Sequence, residues 1–162
     1  MKYFEIVVRA LNRFVEGCAS ALLVAMVVIV FLQVLFRFVI RSSLPWSEEA
    51  ARYILVWLSF LGASIAVRRH GHVGVEALVK LLGATPRRMV SMVALFMALL
   101  FFGFLAVYGF KILGMVFYQS SPAMEISMAI PYSALFGGAI LMTIYTTFDL
   151  LSVLFDRGGD TL

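Results

Sequence analysis

Charged residues along this chain gather in short clusters, and the stretches between them are long and apolar. The first such stretch, Gly17 to Phe36, holds 20 residues between Glu16 and Arg37, with Gln33 its most polar member. Two more, Met89 to Phe110 and Ile126 to Phe148, hold 22 and 23 residues. An α-helix rises 1.5 Å per residue, so about 20 apolar residues cross a hydrocarbon core roughly 30 Å thick. In that core only a helix or a closed barrel satisfies the backbone. These three stretches therefore predict transmembrane helices. A fourth, Tyr53 to Val67, has 15 residues between Arg52 and Arg68. It rises only about 22 Å, so its helix must continue back through Arg52, Glu49 and Glu48 to about Trp46. The pattern predicts an all-α integral membrane protein, one domain over residues 1–162, with spans at about 17–36, 47–67, 87–110 and 131–154.

Lys2, Arg9 and Arg13 precede the first apolar run, as they would in a signal peptide. The run is longer than a typical h-region and lacks a small-x-small cleavage site, so it is expected to stay as a span. Between the second and third spans, Val73, Val75, Ala77, Leu78, Val79, Leu81 and Leu82 are apolar, while Glu76, Lys80 and Gly83 form one narrow polar stripe. This predicts a short interfacial helix at about 73–82. Thr85 and Pro86 read as the N-cap and first position of the third helix, which continues through Lys111 to about Tyr118 and is long enough to tilt. Pro131 suits the first turn of the fourth helix; the alternative is a kink in a helix begun near Ile126. Outside the spans, nine Lys and Arg residues fall on one side and four on the other. The positive-inside rule then puts both termini in the cytoplasm.

Composition agrees with the pattern. Hydrophobic residues make up 63% and charged residues 14%, against about 45–50% and 25% in soluble domains. The net charge of +4 comes from basic residues at span ends, which membrane topology explains without a nucleic-acid partner. The single cysteine, Cys18, can form no internal disulfide. None of the expected spans has an Asp, Glu, Lys, Arg or His near its centre, where an ion-coupled carrier generally needs one. His70 and His72 lack the further ligands a metal site requires. No nucleophile and base pair, phosphate loop or paired catalytic carboxylates can be recognised, so neither an enzyme nor a cofactor is expected.

The most unusual segment runs from Pro45 to Tyr53. Ser47 reads as an N-cap, with Glu48 and Glu49 in the first turn and Glu48 four residues before Arg52. Two readings stay open. These residues cap and anchor a helix, with Trp46 and Tyr53 in the aromatic belt; or they are partly immersed and pair with each other or with another subunit. Further on, Ser59, Gly62, Ala63 and Ala66 form a smooth seam, as do Gly17, Ala21 and Ala25 on the first helix and Ala134 and Gly138 on the fourth. Small residues at such spacing let helices approach closely, within one chain or between chains.

Pro45-Trp46-Ser47-Glu48-Glu49-Ala50-Ala51-Arg52-Tyr53 leads into Val56-Trp57-Leu58-Ser59-Phe60-Leu61-Gly62-Ala63 and later Arg69-His70-Gly71-His72-Val73. With Ser121-Pro122-Ala123, Ile130-Pro131-Tyr132 and Gly137-Gly138, this resembles the DctQ-type small membrane subunit of tripartite ATP-independent periplasmic (TRAP) transporters. Met124-Glu125-Ile126 departs from the pattern by placing a charge there. The resemblance implies a non-catalytic subunit that braces a large multispan membrane subunit carrying the substrate and coupling-ion sites. It also implies a periplasmic solute-binding protein, an organic acid as cargo and a sodium gradient as driving force. Trp46, Glu48, Glu49, Arg52 and Tyr53 become candidate subunit contacts, clamping the large subunit or docking the binding protein. Ser59, Gly62, Ala63 and Ala66 become candidate helix-packing residues. A self-sufficient homodimeric carrier competes with this reading, as does a membrane-anchored enzyme, for which the loops are too short and poor in candidates.

Overall fold

The structure, a computed structural model, describes residues 2–69 and 84–155. The expected interfacial helix at 73–82, together with His70 and His72, lies outside the described residues. Four helices organise the rest: α1 (Lys2–Leu35), α2 (Pro45–Arg68), α3 (Ala84–Val116) and α4 (Ala129–Phe155). All four are long and apolar enough to cross a membrane, so the all-α, four-span class expected from the charge pattern is borne out.

The ends of these helices show how short sequences set chain direction. α1 finishes in a π-helical turn, Phe36–Ile40, and Arg41 then takes the left-handed conformation (φ 58°, ψ 27°) with its N–H bonded to the Phe36 carbonyl. Ser42 donates to the same oxygen at 3.1 Å. Within the few residues Arg41–Leu44 the chain turns back and α2 begins.

Ser47 is not the cap of α2. Pro45 occupies the first helical position, and Leu44 is the N-cap without a side-chain hydrogen bond. Proline's fixed φ and missing N–H suit that position. They start the helix three residues earlier than the serine would, and the buried Ser47 hydroxyl donates back to the Leu44 carbonyl at 2.7 Å. α2 is thus 24 residues long, about 36 Å, and includes Glu48, Glu49 and Arg52.

α3 and α4 are joined by a tight reversal. Ser120 and Ser127 form an isolated antiparallel bridge. Ser121 N–H donates to the Ile126 carbonyl and Met128 N–H to the Gln119 carbonyl, both at 2.8 Å. At the turn Glu125 is left-handed, with φ 55°. α4 starts at Ala129, which leaves Pro131 in its first turn and not at a kink.

Among the described residues, α1 packs on α2, α2 on α4, and α4 on α3; these are the substantial helix contacts. The result is an open row, not a closed bundle. Its interior is correspondingly small and lies mainly on α4, where Ala134, Ala139, Met142 and Tyr145 are buried, with Leu61 from α2 and Phe102 from α3. Close approach uses glycine. A Cβ on Gly138 would lie 2.7 Å from Phe60 Cβ, and one on Gly109 would lie 3.3 Å from Phe136 Cα.

Candidate functional site

Polar groups tie α2 to its neighbours at both of its ends. At the Trp46 end, Gln33 Nε2 on α1 donates to Glu48 Oε1 at 3.2 Å. One residue on, about 100° around the helix, Glu49 points the other way and is buried. Its Oε2 accepts the backbone N–H groups of Ala123 at 2.8 Å and Met124 at 2.9 Å. Its Oε1 accepts the Tyr53 hydroxyl, which also lies 3.3 Å from Met128 Sδ. Trp57 Nε1 donates to the Ile130 carbonyl at 3.2 Å, at the start of α4. A carboxylate holding backbone N–H groups makes charge-assisted bonds, the stronger class. Glu49 therefore fixes the α3–α4 reversal to α2.

The Arg68 end is tied in the same manner. Arg68 Nη1 lies 3.8 Å from Asp149 Oδ1, both side chains being largely buried, and its guanidinium sits over the Phe148 ring at 5.1 Å. Arg69 Nη2 donates to Glu16 Oε1 at 2.8 Å, and Asn12 on α1 donates to the same oxygen at 3.0 Å. Thr146 and Tyr145 are buried within a turn of Asp149. Asp149 is a residue that reading the sequence for midplane charge passes over, because it falls just past the uncharged stretch ending at Phe148. A carboxylate closing an apolar run, with a basic pair closing another, is the signal that could have found it.

The structure separates the residues that the sequence groups together. Glu49 and Tyr53 face inward on the α3–α4 reversal, whereas Trp46, Glu48 and Arg52 are exposed. Among the described residues no ion pair forms between Glu48 and Arg52. The seam of Ser59, Gly62, Ala63 and Ala66 is exposed along its whole length, and the Ser59 hydroxyl turns back to the Leu55 carbonyl at 2.8 Å. Of the other small-residue seams, Ala134 and Gly138 are used within the chain, while Gly17 and Ala21 are exposed.

This arrangement defines a multi-pass membrane protein whose ionisable groups hold helices to one another at the two ends of the spans. Comparison with known families narrows the class. The family described as tripartite ATP-independent periplasmic transporters, DctQ component, matches residues 26–156, and the chain belongs to that family. It is a small TRAP permease subunit of the inner membrane, a transporter component and not an enzyme. Over 77 residues it is 31% identical to the C4-dicarboxylate TRAP transporter small permease protein DctQ of Vibrio cholerae, covering 48% of this chain and 33% of that protein. The protein of the same description in Rhodobacter capsulatus is 32% identical over 102 residues, 62% of this chain and 45% of the relative. The sialic acid TRAP transporter permease protein SiaT of Haemophilus influenzae is 35% identical over 81 residues, half of this chain but only 13% of that protein. The matched stretch thus covers less than half the length of each of these relatives.

Proposed function

We propose that this chain braces the large multispan subunit of a secondary, sodium-coupled TRAP transporter that takes up an organic acid. In this reading a periplasmic solute-binding protein docks over the Trp46 end. The observation that carries the bracing role is the use of charge in α2. Glu48 and Glu49 reach Gln33 and Ala123, and Arg68 and Arg69 reach Asp149 and Glu16, so the helix is fixed to both neighbours at each end. A part that must stay still while another moves is built this way; a carrier instead needs polar groups around a central site. Relatives named for a substrate handle C4-dicarboxylates, sialic acid and isethionate, all organic acids, which supports the organic-acid class.

The whole chain acts as one membrane domain, with both termini and the segment at 73–82 on the cytoplasmic side, as the distribution of Lys and Arg requires. Trp46, Glu48 and Arg52 make the outward contacts, while Glu49 and Tyr53 shape the surface that carries them. The test is a mild-detergent affinity pull-down of the chain from its native membrane, with mass spectrometry of what accompanies it. A large multispan protein in near-equal amount is expected. A homo-oligomer free of any second membrane protein overturns the reading and makes transport by the isolated chain the next question.

A further inference from the structure

We propose that the π-helical turn ending α1 binds an anionic phospholipid, with Arg37 and Arg41 holding its phosphate while Phe38, Val39 and Ile40 lie among the upper parts of the acyl chains. The site stands apart from the contacts proposed above for α2. The 20 uncharged residues from Gly17 to Phe36 rise about 30 Å, the thickness of the hydrocarbon core. Phe36–Ile40 therefore sits where acyl chains give way to headgroups. The level is marked within the fold as well: Gln33 meets Glu48 in the first turn of α2, and Arg37 is one turn further out.

The turn lies open. None of Phe36–Ile40 is buried, and Phe38 is 73%, Val39 74% and Ile40 51% exposed. Three successive residues of a helical turn point in three different directions, so the exposed apolar surface runs around the turn and not along one side. A packing helix covers one side. Lipid is apolar on every side.

Charge gives a second, independent reason. A turn closed by i→i+5 bonding, here from the Arg41 N–H to the Phe36 carbonyl, holds more residues than an α-turn. That brings Arg37 and Arg41 nearly one above the other. Both are exposed, and the Arg37 guanidinium lies 5.9 Å from the centre of the Phe38 ring. Among the described residues neither forms an ion pair, and Glu48, the carboxylate at the nearest level, is held by Gln33. Arg41 also stands in left-handed backbone, φ 58°, where glycine is the default, so the guanidinium is there in spite of the backbone.

Only four basic residues fall on this side of the spans, against nine on the other. Two of them four positions apart on one turn are a local concentration of charge, not part of the bias that sets topology. Paired guanidinium groups fit a phosphate oxygen pair, and the apolar residues between them fit the chains beneath it. A zwitterionic headgroup carries its own ammonium against the same arginines, which is why the lipid is anionic.

The full chain, carrying a photo-crosslinking residue at Val39, is reconstituted in vesicles of equal phosphatidylglycerol and phosphatidylcholine, and the lipid adducts are weighed. Phosphatidylglycerol adducts should exceed phosphatidylcholine adducts about tenfold. Arg37→Gln with Arg41→Gln should return the ratio to that of the vesicle, with an unchanged melting temperature because the turn buries nothing. A crosslinker at Phe101, on the lipid-facing side of α3, should report the vesicle ratio throughout. Equal adducts in the unmodified chain, or an enrichment that survives the double substitution, overturns the site. In the native membrane the Val39 adduct should again be a lipid; an adduct with another protein overturns the choice of occupant.

Discussion

Glu48 and Glu49 are chemically identical neighbours with opposite tasks, and helical phase alone divides them. A step of about 100° carries one carboxylate to the surface beside Gln33 and the other into the α3–α4 reversal. Glu49 satisfies two backbone N–H groups and the Tyr53 hydroxyl at once. Glu49→Gln keeps the shape but removes the charge: its amide oxygen can still accept the two backbone N–H groups and its NH2 can donate to the Tyr53 hydroxyl, so what is lost is the charge assistance. Hydrogen bonds to charged groups contribute about 1.5–3 kcal/mol, against about 0.5–1.5 kcal/mol for neutral ones. Glu49→Gln should therefore lower the melting temperature of the isolated chain by about 2–4 °C, with Glu48→Gln close to neutral. Thermal unfolding in detergent compares them; equal melting temperatures for the two variants would sink the distinction. The sequence makes the cluster of charges conspicuous but not this division, since the partners of Glu49 lie 74 and 75 residues away on a reversal built from backbone bonds that leave no periodic trace.

At the scale of the helix, small residues serve two purposes that sequence spacing does not separate. Gly138 and Gly109 sit where another helix presses against them. Gly62 and Gly137 meet nothing within 4 Å. Gly138→Ala drives a methyl group into Phe60 Cβ, an atom next to the α2 backbone that cannot swing aside, and should cost about 1–3 kcal/mol. Gly137→Ala, its immediate neighbour, should be tolerated. Melting temperatures of the two purified variants decide the matter, and a Gly137→Ala variant as unstable as Gly138→Ala would contradict this packing. The four helices themselves were legible, because a helix that spans lipid excludes charge for about 20 residues and the chain marks those intervals plainly. Their starting points were less so. Pro45 outcompetes Ser47 as the start of α2 through its fixed φ, a backbone effect, whereas the serine signal is a side-chain one.

The molecule as a whole is an open row, so its stability should depend on what covers it. α1 and α3 stand at the two ends of the row and are each held by one neighbour. No residue in the most apolar window of α1 is buried, and few are in that of α3. Lipid surrounds these helices without driving them together, since its tails are as apolar as they are. In the proposed function the large subunit is a ligand that binds the folded row and not its separated helices. By mass action such a ligand raises stability by about 2.7 kcal/mol when its effective concentration is a hundredfold above Kd. For a chain of this size that corresponds to about 5–10 °C in melting temperature. A fluorescent tag on this chain, followed by size-exclusion chromatography after heating, reads its own unfolding whether or not the large subunit is present. Co-expression with the large subunit should shift the midpoint upward by that amount. An isolated chain that melts at the same temperature as the complex would mean that α1 and α3 need no further support, and that the row is complete as it stands.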